Sequence, residues 1–180
     1  SREGVCSSRA EHFELPRVLL VAQHREEVVL APERSLERRA VRRAETDLAD
    51  FPSQSFDYVV LSQTLQAMRE PKRTLEQLLR IGRRAVISMP NFAHWRCRAQ
   101  VLFGGRMPVG GLLHYEWYDT PNIHLCSIRD FVILAREMGV TIERGLFLDD
   151  RGVPRRLGRS LRLANLLGEQ AVFVLRTERS

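Results

Sequence analysis

Lysine is almost absent from this chain of 180 residues, in which Lys72 is the only lysine among 28 basic residues. The net charge of +6 and the pI near 10 would favour nucleic-acid binding if the basic residues were clustered, because such clusters displace counterions from phosphates. The arginines are instead spread over the whole length. We therefore attribute the basic charge to a general preference for arginine in this sequence and not to a nucleic-acid-binding surface. Nucleic-acid binding is a lesser alternative, which predicts salt-sensitive retention on heparin.

Cysteine and long apolar runs are also scarce. Cys6, Cys97 and Cys126 are odd in number and far apart, which argues against a disulfide framework and fits a reducing compartment. No segment approaches the roughly 18 apolar residues of a membrane span, and residues 1–12 lack the apolar core of a signal peptide. We expect a soluble, cytoplasmic protein without a membrane partner.

Glycine is rare in the first 46 residues, where Gly4 is the only one. This Arg-rich and Glu-rich part has one apolar run, at 17–22, which predicts a short strand, and a charged segment that predicts a helix at about 32–45. A clearer pattern begins at residue 47. We therefore divide the chain into a divergent segment, 1–46, and an α/β domain, 47–180, with a single core.

The α/β domain opens with a strand, a helix and a second strand. The apolar run at 58–61 predicts a buried strand, and the run at 84–89 predicts another. Between them, Pro71 marks a helix start and Gly82 a stop. This spacing is typical of a βαβ crossover, which predicts parallel strands with a right-handed connection.

The C-terminal part predicts a helix and two strands. Ser127 is a good N-cap with Asp130 three residues later, and Gly139 ends the helix that they open. The other segments are a strand at 140–144, a basic loop at 149–162 and a last strand at 171–175, with the two strands pairing as an antiparallel hairpin at the sheet edge.

An aromatic-rich stretch, 88–126, contains both tryptophans and two of the three cysteines. Ligands of parallel sheets bind beyond the carboxyl ends of the strands, which places this stretch beside Ser62 and Gln63 at the end of the preceding strand. Ser62 and Gln63 are candidates to flank a cofactor, and simple hydrogen bonding at the strand end is at least as good an interpretation of them. The candidate ligand-binding or partner-binding residues are Asn91, His94, Trp95, Arg96, Arg98, Trp117, Tyr118, Asp119, Asn122 and His124.

These candidates also have simpler interpretations. Trp95 could pack its helix onto the sheet while the arginines are solvated, although arginine also suits a carboxylate. Asp119 and His124 could meet for acid/base chemistry, but the segment 119–122 is equally good turn chemistry, and we assign no catalytic residue. The His and Cys spacings do not form a paired zinc pattern, so we expect no metal.

Five blocks, in order, carry a resemblance to a known family: SFDYVVLSQTLQAM, PNFAHWRCR, GRMPV, WYDTPNIHLC and NLLGE. Over residues 47–175 the chain resembles the methionine biosynthesis protein MetW family, a branch of the class I S-adenosylmethionine (SAM) methyltransferase fold. The resemblance implies a Rossmann-like three-layer α/β/α sandwich, whose sheet is mostly parallel with a reversed last strand. It also implies a bacterial role in methionine biosynthesis, with homoserine O-acyltransferase as a partner that the protein activates.

The chain departs from the family at the cofactor site. Methyltransferases of this fold hold SAM on a first strand followed by a glycine-rich turn, and no D-x-G-x-G run occurs in this chain. Arg42 and Arg43 stand where the family has a Gly-Asp pair. Residues 1–5 resemble the segment after the second strand of the family. We therefore hypothesise that the first strands are missing and that 6–43 is foreign sequence from a disrupted reading frame.

The sequence favours a methyltransferase-like partner of homoserine O-acyltransferase with a degenerate SAM site. The resemblance implies SAM as cofactor, but the missing glycines predict that this chain does not bind it. The alternative is an active SAM-dependent methyltransferase of unknown acceptor, so enzymatic activity is left open.

Overall fold

A computed structural model of the chain describes residues 18–22, 27–31, 41–43, 47–109, 116, 120, 123–158 and 160–177. The strands are β1 (Val18–Ala22), β2 (Glu27–Ala31), β3 (Val41–Arg43), β4 (Phe56–Ser62), β5 (Gly82–Pro90), β6 (Val140–Leu148), β7 (Pro154–Arg156) and β8 (Gln170–Thr177). The helices are α1 (Pro71–Ile81), α2 (Trp95–Gly104), α3 (Ile128–Glu137) and α4 (Leu161–Leu167), with short 3₁₀ turns at Asp47–Asp50 and Leu65–Ala67. The described strands form one mixed sheet in the order β3-β2-β1-β4-β5-β8-β6-β7.

The centre of the sheet is the predicted βαβ unit. Strands β4 and β5 pair in parallel, and α1 connects them and packs on both. Gly82 ends α1 and starts β5, where an added Cβ would lie 2.5 Å from Cγ2 of Val59. Only glycine therefore allows the helix to turn so directly into the strand beside β4.

The core follows the twofold alternation of the strands. Phe173 of β8 is fully buried and stacks on Phe131 of α3 with ring centroids 4.4 Å apart, which joins this helix to the sheet. Burial of one such ring stabilises the fold by about 1.5–3 kcal/mol. The other buried residues of the central strands are Val59, Leu61, Ala85, Ile87, Met89, Ala171 and Leu175.

The last strand is reversed, as predicted, because β8 is antiparallel to β5. Strand β8 also pairs antiparallel with β6, but the prediction of a hairpin at the sheet edge is wrong. Strand β8 lies inside the sheet, between β5 and β6. Every second side chain of β8, namely Ala171, Phe173 and Leu175, is buried. A position between two strands also gives the backbone N–H and C=O groups on both edges of β8 hydrogen-bond partners.

The prediction of a loop at 149–162 is also wrong in part. Strand β7 occupies Pro154–Arg156 and pairs with the end of β6, and α4 begins at Leu161. All three β7 residues are exposed, and the strand lies at one end of the described sheet. An exposed edge strand needs no apolar alternation, and Pro154 is tolerated because it is the first residue of an edge strand.

The N-terminal part contributes three strands. The predicted strand at 17–22 is confirmed as β1, which pairs in parallel with β4, so β4 has a neighbour on each side. The predicted helix at about 32–45 is wrong at Val41–Arg43, which form β3; the rest of it lies outside the described residues. A short charged helix has little apolar surface to bury, whereas a strand added to β2 completes backbone hydrogen bonds.

The Rossmann-like α/β fold class is confirmed. The prediction of a mostly parallel sheet is wrong for the described strands, because only the pairs β1–β4 and β4–β5 are parallel. Strands β2 and β3 run antiparallel to their neighbours, and the reversed β8 pairs antiparallel on both sides. None of the described helices combines the length and the apolar character that a membrane crossing requires.

Arg80 joins α1 to the 3₁₀ turn before β4. Its Nη1 donates to the carbonyl of Phe51 at 2.7 Å, and its Nη2 donates to the carbonyl of Leu48 at 2.8 Å. Its Nε donates to Oε1 of Gln77 at 2.9 Å. Its Nη2 also donates to the carbonyl of Ala49 at 3.4 Å. One side chain therefore supplies donors to three backbone carbonyls about 30 residues away in sequence.

Replacing this arginine should destabilise the fold. We expect Arg80→Ala to lower the free energy of unfolding by about 2–3 kcal/mol, because the substitution removes the charged donor of three backbone carbonyls. The matched control is Arg73→Ala on the same helix, which breaks only an exposed ion pair with Glu70 and should cost less than about 0.5 kcal/mol. Urea unfolding followed by circular dichroism measures both, and equal losses would contradict this role of Arg80.

Candidate functional site

The carboxyl ends of β4 and β5 form the predicted rim. Ser62 pairs with Ser88, and the next residue, Gln63, has a φ of 49°, in the left-handed region that non-glycine residues rarely adopt. The amide of Gln63 donates to the carbonyl of Ser88 at 2.9 Å and to its Oγ at 3.1 Å. The Ser88 hydroxyl donates to Oγ of Ser62 at 3.3 Å. The predicted cofactor residues are thus bonded to the neighbouring strand.

Gln66 links this rim to His124. The carbonyl of Gln66 accepts the amides of Ile123 and His124, each at 2.9 Å, and its side-chain Nε2 donates to the carbonyl of Gln63 at 2.7 Å. Oε1 of Gln66 and Nε2 of His124 are buried and have no hydrogen-bond partner among the described residues. The structure therefore brings His124 to the rim and leaves two polar atoms there for a ligand or water.

Asn91 is buried directly after β5 and uses its whole side-chain amide within the protein. Its Nδ2 donates to the carbonyls of Asn165 and Gly168 at 2.9 and 2.7 Å. Its Oδ1 accepts the amides of Ala93 and Ile128 at 3.1 and 3.3 Å. The predicted ligand-binding residue therefore acts, in this structure, as a junction between β5, α3 and α4.

The same junction satisfies the N-terminus of α3. The amide of Ile128 bonds to Asn91, that of Arg129 to Oδ1 of Asn165, and that of Asp130 to Oγ of Ser127. The amide of Ser127 donates back to the carboxylate of Asp130 at 3.0 Å, which confirms the predicted capping box. All the amides that usually make a helix N-terminus an anion site are used here by side chains.

His94 precedes α2 and is almost fully buried, with 3% of its surface exposed. Burial lowers its pKa, and this effect exceeds the opposing attraction of the Glu169 and Asp150 carboxylates. The imidazole is therefore neutral at pH 7. Its Nε2 has no partner among the described residues, and its ring lies 5.8 Å from that of Trp95.

The other candidates of α2 point outward. Trp95 is 45% exposed, and the Arg96 guanidinium lies 5.5 Å from the centroid of its ring. Arg96 also pairs with Asp150 at 3.2 Å, and Arg98 donates from Nε to the carbonyl of Ala93 at 2.6 Å. The alternative in which Trp95 packs the helix onto the sheet does not fit this exposure.

Four candidates, Trp117, Tyr118, Asp119 and Asn122, lie outside the described residues. The described part of the chain holds no group of three or more His, Cys, Asp or Glu side chains arranged for a metal. Burial raises the pKa of the Cys126 thiol to about 11 and also raises that of Cys97, so both are protonated at neutral pH. A protonated thiol is neither a good nucleophile nor a ready metal ligand.

The sequence that follows β1 does not match the SAM-binding turn that methyltransferases of this fold have after their first strand. In that arrangement a glycine-rich turn leads from the first strand into a helix, and the second strand runs parallel to the first. Here only four residues, Gln23 to Glu26, separate β1 from β2; none is glycine, and β2 returns antiparallel. Four residues are too few for a crossover helix. The adjacent amide of Gln63 is already bonded to Ser88.

Two residues of the site were not identified from the sequence. Gln66 and Asn165 are polar residues with 3% and 8% of their surfaces exposed, and each binds backbone groups of other elements. The sequence gives one local indication of the role of Asn165: it lies inside the apolar segment LRLANLL, and a polar residue on the buried face of a helix needs a hydrogen-bond partner.

The family model described as "Methionine biosynthesis protein MetW" matches residues 24–175 of the chain. The match begins inside the segment 1–46, and the proposed domain boundary and the hypothesis of a disrupted reading frame stay predictions. A curated relative, the bifunctional methionine biosynthesis protein MetXA/MetW of Rhodopirellula baltica, is 38% identical over 107 residues. That alignment covers 58% of this chain but 17% of the relative, so the chain spans a small part of the longer protein.

Similarity to a solved structure shows the fold. A SAM-dependent methyltransferase of Thermotoga maritima, described as a possible histamine N-methyltransferase, is similar with a TM-score of 0.50 and 14% identity, over 71% of this chain and 58% of that one. The magnesium protoporphyrin IX methyltransferase of Synechocystis with bound SAH has a TM-score of 0.45 and 14% identity, over 74% and 49%. The family match covers most of the chain, including strands β4, β5 and β6 of the sheet described above. The chain therefore belongs to the methionine biosynthesis protein MetW family and has its methyltransferase-like fold.

Proposed function

We propose that the chain acts in methionine biosynthesis as a non-catalytic partner that activates homoserine O-acyltransferase. The observation that carries this proposal is the relative named MetXA/MetW, in which the part similar to this chain belongs to one bifunctional protein. Fusion of two units gives them a high effective concentration for each other, which benefits units that work in contact. The resemblance from the sequence supplies the identity of the partner enzyme.

The site geometry supports a binding role. At the rim, the Gln63 amide, the Asn91 side chain and the first amides of α3 are bonded within the protein, which leaves few groups to hold a cofactor. The exposed candidates are instead Trp95, Arg96 and Arg98 of α2. An aromatic ring with neighbouring arginines is typical of residues that dominate protein–protein contacts.

The mechanism is allosteric. The chain binds an active conformation of the acyltransferase more tightly than an inactive one and thereby shifts the population toward the active state. A tenfold shift requires about 1.4 kcal/mol of differential binding free energy, which a few well-packed side chains supply. No group of this chain needs to touch homoserine or the acyl donor.

The second candidate is a SAM-dependent methyltransferase. One observation favours it: Oε1 of Gln66 and Nε2 of His124 are buried without described partners at the end of β4, where ligands of such sheets bind. Against it stand the glycine-free connection between β1 and β2 and the antiparallel course of β2.

Addition of the chain to the homoserine O-acyltransferase of the same organism should raise the acylation rate. We expect a saturable increase of about fivefold or more in kcat/KM, in the range typical of allosteric coupling. The measurement is the steady-state rate against chain concentration, with heat-unfolded chain as the control. An unchanged rate together with no co-purification of the two proteins would refute the proposal.

Calorimetric titration distinguishes the two candidates. We expect no saturable heat with SAM or S-adenosylhomocysteine at millimolar concentration, because the backbone turn that holds the cofactor is missing. Thermal unfolding provides a second readout, since a ligand at 100 times its Kd would stabilise the fold by about 2.7 kcal/mol. A micromolar Kd would instead establish the methyltransferase candidate as the better one.

A further inference from the structure

Helix α2 carries an apolar stripe on its solvent side. Trp95, Ala99, Leu102 and Phe103 follow at i, i+4, i+7 and i+8, which places them along one side of a helix. All ten residues of α2 are described, and none of them is buried. Leu102 is 75% exposed and Phe103 is 84% exposed. The spacing is that of a face which helices normally bury, yet no described part of the chain covers it.

The apolar surface continues past the end of the helix. Met107 and Val109, which follow the helix, are also exposed, with 48% and 37% of their surfaces accessible. Single exposed apolar residues are common in soluble proteins, but a contiguous group of large side chains marks an interaction surface.

Arginines border the stripe. With about 100° between successive helical residues, Arg96 lies on the Phe103 side of the stripe and Arg98 lies on its other side. Arg106 follows the helix, and the segment 95–109 contains no aspartate or glutamate, so the carboxylate that faces Arg96 within the chain is that of Asp150, at 3.2 Å. The complementary surface therefore has an apolar groove with carboxylates at its borders.

The helix is held in a fixed orientation at its N-terminus. The amide of His94 donates to the carbonyl of Asn91 at 3.2 Å, and the amide of Ala93 donates to Oδ1 of the same asparagine at 3.1 Å. His94, the residue before the helix, is buried and anchors the start of α2 in the protein. The stripe is thus presented on a rigid element, which lowers the entropic cost of binding.

Resting on the proposed function, we propose that this stripe, Trp95, Ala99, Leu102 and Phe103, is the docking surface for homoserine O-acyltransferase. The enzyme contributes an apolar groove that receives Leu102 and Phe103 and carboxylates that face Arg96 and Arg98. A second copy of this chain is a poorer occupant, because a twofold contact between two such stripes would bring the arginines of both copies together.

The test compares Phe103→Asp and Leu102→Asp with Leu163→Asp. Leu163 is a matched control, since it is an exposed leucine, 60% accessible, on a different helix, α4. We expect Phe103→Asp and Leu102→Asp to weaken binding to the acyltransferase by about 100-fold, as for an interface hot spot, and Leu163→Asp to change the Kd by less than about threefold. Calorimetry gives the Kd, and circular dichroism verifies that each variant is folded.

A charge reversal gives a second readout. Arg96→Glu combined with Arg98→Glu should slow association with the acyltransferase by about tenfold at low salt and reduce the salt dependence of the association rate.

The outcomes separate the two proposals. If the wild-type chain binds and activates the enzyme while Phe103→Asp and Leu102→Asp do so equally well, the docking surface is wrong and the proposed function stands. If the wild-type chain neither binds nor activates, the proposed function fails and this inference fails with it. If sedimentation shows a wild-type dimer that Phe103→Asp dissociates, while enzyme binding is unaffected, a second copy occupies the stripe and the inference is overturned.

Discussion

The structure at the carboxyl end of the sheet depends on the side-chain amide of Asn91. This buried group donates to the carbonyls of Asn165 and Gly168 and accepts the amides of Ala93 and Ile128. Loss of any of these partners would leave a buried polar group unsatisfied, at a cost of about 1–3 kcal/mol each. One residue therefore sets where β5 ends, where α3 begins and where α4 ends.

Because this junction uses polar groups at the strand ends for bonds within the protein, it determines which groups stay available to a ligand or partner. Methyltransferases of this fold hold their cofactor with free backbone amides at the strand ends, whereas here the amide of Gln63 bonds to Ser88 and β2 runs antiparallel to β1. What the junction leaves exposed is α2, which departs from the core at the buried His94. The proposed role in partner binding follows from the combination of a rim whose described backbone amides are bonded within the protein and an exposed apolar helix.

The elements predicted from the sequence are those with local causes. Strand β4 is predicted by a short apolar run, and the start of α1 by Pro71. The start of α3 is predicted by Ser127 and Asp130, which cap it and lie within four residues of each other. The position of β8 and the role of Asn165 depend on partners far away in the chain; the bond from Asn91 to Asn165 spans 74 residues. The exposed stripe of α2 has the same periodicity as a core-facing one, so only the structure shows which way it faces.

The central claim is that α2, and not the ends of the central strands, is the functional surface. Hydrogen–deuterium exchange of the chain, with and without homoserine O-acyltransferase, tests this most directly, because it maps protection onto segments of the backbone. Docking through α2 predicts slower exchange in residues 95–109 on complex formation and little change in residues 62–66. Protection confined to residues 62–66, with unchanged exchange in α2, would contradict it.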